Sequence, residues 1–173
     1  SIPGFSWIND KGLFSEYNDG SRAMPGYNLQ GFLNLNINFY AMLSVNSTTE
    51  FIDYLKSHPT LMSNLTAIVD ANQSLSVENP VNINPPVVLN GQMKNANFFT
   101  NIYRTPFPEA KLTIETCIDK VKDTPSYACH RYHVIENYLN NNPIINLENL
   151  KDLFTIPLDQ NGIYHTGKSV NYP

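Results

Sequence analysis

Charge is what this sequence lacks most. Of its 173 residues, 11 are Lys or Arg and 15 are Asp or Glu, so 15% are charged, where globular chains average about 25%. The formal net charge is -4, and no basic stripe is present to neutralise phosphates, which argues against a nucleic-acid partner. Long apolar runs are also missing. No stretch approaches the roughly eighteen residues that a membrane-spanning helix needs, and no basic amphipathic helix is present to lie on a bilayer. The chain therefore reads as soluble, with no transmembrane segment.

Cysteine is nearly absent. Cys117 and Cys129 are the two thiols, too few for a four-thiolate zinc site and not spaced as Cys-x-x-Cys. No Gly-x-Ser-x-Gly elbow, phosphate-binding glycine loop or Gly-x-Gly-x-x-Gly fingerprint occurs, and no cofactor is implied.

What the chain has instead is asparagine, 24 residues of it. Its polarity comes from amides, which hydrogen-bond without adding net charge and steer charged partners weakly. With 42% hydrophobic residues, one core can bury roughly two thirds of the unfolded surface. The first residue is Ser1 rather than Met, as a removed signal peptide or an excised piece would leave it.

The two cysteines lie equally far from Asp123. Before that point, Ala110, Ile114, Cys117, Ile118 and Val121 recur at helical spacing, predicting a helix over 108–121. After it, Thr124 reads as an N-cap and Pro125 as a first helical residue, ahead of a stripe of Cys129, Tyr132, Ile135 and Leu139. Two antiparallel helices would bring the sulfurs together, and a bridge across so short a loop contributes about 2.5–3 kcal/mol on the chain-entropy model. The alternative is a pair of buried free thiols in a reducing cytosol. The bridge places the protein in an oxidising compartment, periplasmic or extracellular.

Elsewhere, residues 1–31 carry many Gly and Pro breakers and read as an irregular arm. Its apolar residues Phe5, Trp7, Ile8, Phe14 and Tyr17 are expected to pack along the domain or against a partner. Residues 32–157 read as the core domain and 158–173 as a terminal loop. Within the core, apolar residues alternate with Asn from Phe32 to Phe39, predicting a half-buried strand; Leu29, Leu33, Ile37, Tyr40 and Ala41 give the competing helical grouping. Ser47-Thr48-Thr49-Glu50 is a capping box opening a helix to about His58. Leu61, Met62, Leu65, Ile68 and Val69 suggest a second helix after Pro59. Residues 72–86 read as extended and polyproline-like, Val87-Val88-Leu89 as a strand turning at Asn90-Gly91, and 97–103 as a helical turn. Asn146 caps a last helix carrying Leu147, Leu150, Leu153 and Phe154. The expected fold is mainly α with minor β: short helices, a disulfide-linked helical hairpin and extended irregular segments.

Three constellations could carry function. His130, His133 and Glu136 stack at i, i+3 and i+6 on a helix, which could start a metal site or supply acid and base to a secreted hydrolase; a solvated polar face is the plainer reading. Phe39, Tyr40, Phe51, Tyr54, Phe98 and Phe99 could line a small-ligand cavity, although aromatic stripes more often fill a core. Asn46, Asn64 and Asn72 sit in glycosylation-like triplets that the Asn bias produces by chance. The leading expectation is a non-catalytic exported structural or interaction protein, with a protein partner or homo-oligomer and no nucleic acid.

Overall fold

The Asn-apolar alternation of residues 33–39 becomes a helix, not a strand. In the computed structural model, which describes residues 6–21, 23–90, 97–98, 100–117, 128–142 and 145–156, α1 spans Asn34–Ser44. Its inner face combines Ile37, Ala41 and Met42 with two buried asparagines, Asn34 and Asn38. Asn34 donates to the carbonyl of Met62 at 2.6 Å and accepts from the Met62 amide at 3.1 Å. Asn38 donates to the Asn34 carbonyl at 2.9 Å and accepts from the Thr66 hydroxyl at 3.4 Å. Satisfied in this way, an amide can sit inside a core, and the alternation no longer marks an inside and an outside.

The fold is not mainly helical. Five strands, β1 (Ser6–Ile8), β2 (Phe14–Asp19), β3 (Asn64–Val69), β4 (Ser74–Asn79) and β5 (Val87–Asn90), form one antiparallel sheet in chain order. Of the described residues, 34% are helical and 22% are in strands. The segment read as an irregular arm supplies β1 and β2. The segment read as a helix after Pro59 is β3, where Asn64, Leu65 and Thr66 are all buried. A strand covered on both faces loses its two-residue period, and its apolar run then imitates a helix. The stretch read as polyproline-like contains β4, paired with β3 from Asn64↔Asn79 to Val69↔Ser74. Residues 97, 98 and 100–103 hold no helix.

The chain divides into two compact units, residues 1–116 and 117–173. In the first, α1 and α2 (Thr48–Ser57) lie between β2 and β3 in the chain. Ile37, Ala41, Met42, Phe51, Ile52 and Leu55 from these helices pack on Ile68, Leu75 and Val77 of the sheet, with Trp7 half-buried beside them. Half of the expected capping box forms: the Ser47 hydroxyl accepts from the Glu50 amide, while the Glu50 carboxylate accepts at 2.8 Å from the amide of Asn46, the residue before the N-cap. On the other side, Leu65 clusters with Ala23, Met24, Tyr103 and Phe107. The loop carrying Tyr103 is fastened by Glu78 of β4, whose carboxylate accepts from the backbone amides of Arg104 and Thr105.

Asp70, after β3, ties the sheet to the start of α2. It accepts from the Thr48 amide and hydroxyl at 3.0 and 2.9 Å, and from the amides of Asn72 and Gln73. The Thr48 amide, then that of Asn72, holds its carboxyl down from 3.8 to about 2. A depressed folded value means stability present above the unfolded pKa and lost as pH falls through the folded one. Asp70→Asn is therefore expected to flatten the loss of stability between pH 4 and pH 2, read as urea midpoints across that window.

The second unit contains α3 (Ala128–Asn141) and α4 (Leu147–Thr155). Asn146 caps α4 in a reciprocal pair with Asn149, and the Tyr138 hydroxyl of α3 donates to the Asn149 carbonyl at 2.8 Å. Leu153 is buried, while Leu147, Leu150 and Phe154 of the same apolar stripe are exposed. Cys117 and Cys129 form a disulfide with Cα atoms 5.4 Å apart. It joins a non-helical segment to α3, so the helical hairpin is not formed: residues 108–117 hold turns. Thr113 and Thr116 explain why, since their hydroxyls bond each other's backbone amides at 2.9 and 3.3 Å and so compete with helical pairing. The proposed turn around Asp123, the strand after Asn90-Gly91 and the 158–173 loop fall outside the described residues.

Reducing the disulfide should cost the second unit about 3 kcal/mol, the closure entropy of a loop this short. The expected readout is faster amide exchange across α3 and α4 on reduction, with β3 and β4 unchanged.

Candidate functional site

The constellations anticipated from the sequence come apart in different ways. On α3, His130 is buried, while His133 has its Nε2 3.3 Å from the Cys117 carbonyl and its Nδ1 3.6 Å from the Glu136 carboxylate. His133 and Glu136 are thus together, both ring nitrogens of His133 face protein groups, and the bond to Cys117 braces the disulfide. Among the described residues, no three His, Cys, Asp or Glu side chains are grouped to hold a metal ion. In the former arm, Trp7 packs on the core, Tyr17 is buried, Phe14 is half-buried and Ile8 stands out in solvent. Burial pushes the Tyr17 phenol up to about 12, with Asp19 adding to the effect. Phe5 lies outside the described residues.

The aromatic set divides too. Phe51 is core, Phe39 and Phe98 are half-buried, and Phe99 is outside the described residues, but Tyr40 and Tyr54 line an open cavity of about 460 Å³ between α1 and α2. Phe32, Leu33, Asn36, Ile37 and His58 also line it. Each wall has a local cause. His58 is the C-cap of α2, where Pro59 prevents continuation. Its Nδ1 lies 2.8 Å from the Tyr54 carbonyl, and its ring stacks on Tyr54 with centroids 4.1 Å apart. Phe32 reaches the same ring, at 5.5 Å, because it bridges Thr60 as an isolated strand pair. That approach requires glycine at 31, where any Cβ would run into the Thr60 carbonyl.

Outside the cavity the apolar surface continues. Leu33, Tyr40 and Leu43 on the outward side of α1 are 58%, 55% and 68% exposed, and the neighbouring Leu29 is 91% exposed. Residues 23–49 contain no charged side chain at all. A surface helix of a monomer usually carries charge on its outward face; that of α1 is uncharged, with Asn36 and Ser44 the exposed polar residues beside Tyr40 and Leu43. The signal for this site in the sequence is the uncharged stretch, which the alternation of Asn with apolar residues masks.

The chain matches no protein-family model and no curated protein. Its chemistry must therefore be read from the site. The cavity lining has no carboxylate, thiol, lysine or arginine, and His58 is its one titratable imidazole. Such walls favour apolar and aromatic contact rather than proton transfer or nucleophilic attack. The disulfide suggests a non-reducing environment, and among the described residues no helix is long and apolar enough to cross a membrane.

Proposed function

We propose that this chain is a non-catalytic interaction domain of an exported protein, periplasmic, cell-envelope or extracellular, which contributes the outer face of α1 to a protein interface within a larger assembly. The observation that carries the reading is the exposed row Leu33, Tyr40 and Leu43 on a helix without one charged residue. Exposed large apolar side chains on a surface without Lys or Glu fit the composition of interface cores. The Cys117–Cys129 bond supports the compartment.

Leu33→Glu with Leu43→Glu tests it. Both side chains are exposed, so the urea midpoint should move by less than about 0.5 kcal/mol equivalent, while association measured by light scattering, or by crosslinking to the chain's neighbour in its native envelope, should be lost. A wild-type chain that stays monomeric and uncrosslinked would remove the proposal.

A second reading, a carrier of a small apolar ligand, draws on the cavity beside that face, where Tyr54, His58 and Phe32 form a stacked wall. Native mass spectrometry distinguishes the two: a retained small molecule supports the carrier, and a ligand-free multiple of the chain mass supports the interface.

A further inference from the structure

A second cavity of about 240 Å³ lies in the first unit, beyond the C-terminal end of α2, and its walls are more polar. Asn28, Asn79, Asn82 and Asn84 supply side-chain amides, Thr60 adds a hydroxyl, and Pro59, Pro80 and Ile83 are apolar; no charged residue lines it. The walls are tied down from several sides. The Asn28 amide donates to the Leu61 carbonyl at 2.9 Å, the Val81 amide to the Ser63 hydroxyl at 2.9 Å, and the Asn84 side chain to the Lys56 carbonyl at 3.1 Å, fastening the β4–β5 loop to α2. Asn82 sits at φ 63°, a left-handed conformation that asparagine tolerates better than most residues.

One amide is not used up by the fold. The amide nitrogen of Asn79, itself 4% exposed, is enclosed without a hydrogen-bond partner, while Asn82 stands exposed at the rim. An enclosed donor left unpaired is rare in native proteins and calls for a partner. Amides both donate and accept, as hydroxyls do, so uncharged amide walls beside aliphatic patches match a neutral molecule bearing hydroxyls on a carbon skeleton. The volume equals that of about eight waters, below the ~300–1,000 Å³ of drug-sized sites, and suits a single sugar ring or short polyol.

We propose that this asparagine-lined cavity binds a neutral, hydroxyl-rich ligand of the size of one monosaccharide unit, independently of the apolar face of α1. The test is saturation-transfer NMR and calorimetry on the full chain, with glucose, N-acetylglucosamine and mannitol as neutral probes and glucuronate and glucosamine as charged ones. Neutral probes should bind with a Kd on the order of a millimolar, and charged ones should not. Asn82→Gly keeps the backbone conformation and removes an amide; Asn28→Asp keeps the acceptor that bonds the Gln30 amide and introduces a charge. Each should weaken binding about tenfold, a loss of one good hydrogen-bonding group, with the urea midpoint checking that the fold survives. Methyl glycosides locate the source: binding equal to the free sugar assigns the end of a glycan chain, and exclusion assigns the free sugar. No neutral probe binding, equal binding of charged probes, or unchanged binding in both variants would overturn the proposal.

Discussion

Glu78→Ala is expected to destabilise the first unit by about 3 kcal/mol, because two backbone amides lose their acceptor and an enclosed donor left unsatisfied costs about 1–3 kcal/mol. Glu78 is 1% exposed in β4 and is the clasp that holds Arg104 and Thr105 over the sheet. Burial pushes its carboxyl up, against the lowering by Thr105 and Arg104. With a folded pKa above the unfolded one, its ionisation favours unfolding: the contribution is complete below the unfolded value of 4.5 and is lost as pH rises through the folded one. Glu78→Gln keeps one acceptor oxygen and no titration, so its deficit against wild type should shrink as pH rises from 4 to 8. Trp7, the one tryptophan, reports the unfolding by fluorescence. A deficit that is constant with pH would mean that the carboxylate titrates as it does in the unfolded chain.

Phe51→Ala should cost about 3–5 kcal/mol. The ring is fully buried at the centre of the cluster that joins α1 and α2 to the sheet, and the rigid strands behind it limit collapse into the void. With a urea slope near 2 kcal/mol/M for a chain of this size, the midpoint falls by about 2 M. Phe154→Ala, on the exposed side of α4, serves as the comparison and should change stability by less than about 0.5 kcal/mol.

Where the sequence could be read, a local rule sufficed. Ser47 with Glu50, Asn146 before Leu147, and the Val87–Leu89 run are elements whose ends are set by residues within one turn of each other. The two cysteines were correctly paired, although the hairpin argument behind that pairing was not, because Thr113 and Thr116 take the backbone bonds that a helix would need. The misread elements are those whose polarity is settled at a distance. Asn34 and Asn38 are inside because Met62 and Thr66, twenty-eight positions away, complete their bonds. Leu65 faces one cluster and Ile68 the other, a two-sided burial that no window along β3 reveals. Gly12 and Gly20, counted as breakers, sit at the ends of strands: Gly12, at φ 77°, bonds Asn9 in the turn between β1 and β2. The α1–α2 cavity needed Phe32 and His58 in one place, and only the Phe32↔Thr60 bridge brings them there.

The order of the strands also shapes how the first unit comes together. β3 and β4 are separated by four residues and can meet quickly, whereas Asp19 finds Asn64 only after everything from 20 to 63 has been gathered between them. Closing a loop of that length is entropically slow and is rewarded only at the end. The β3–β4 ribbon is therefore expected to form early, and the β2–β3 seam late. Mutations in the ribbon should slow folding, while those along the seam should mainly hasten unfolding.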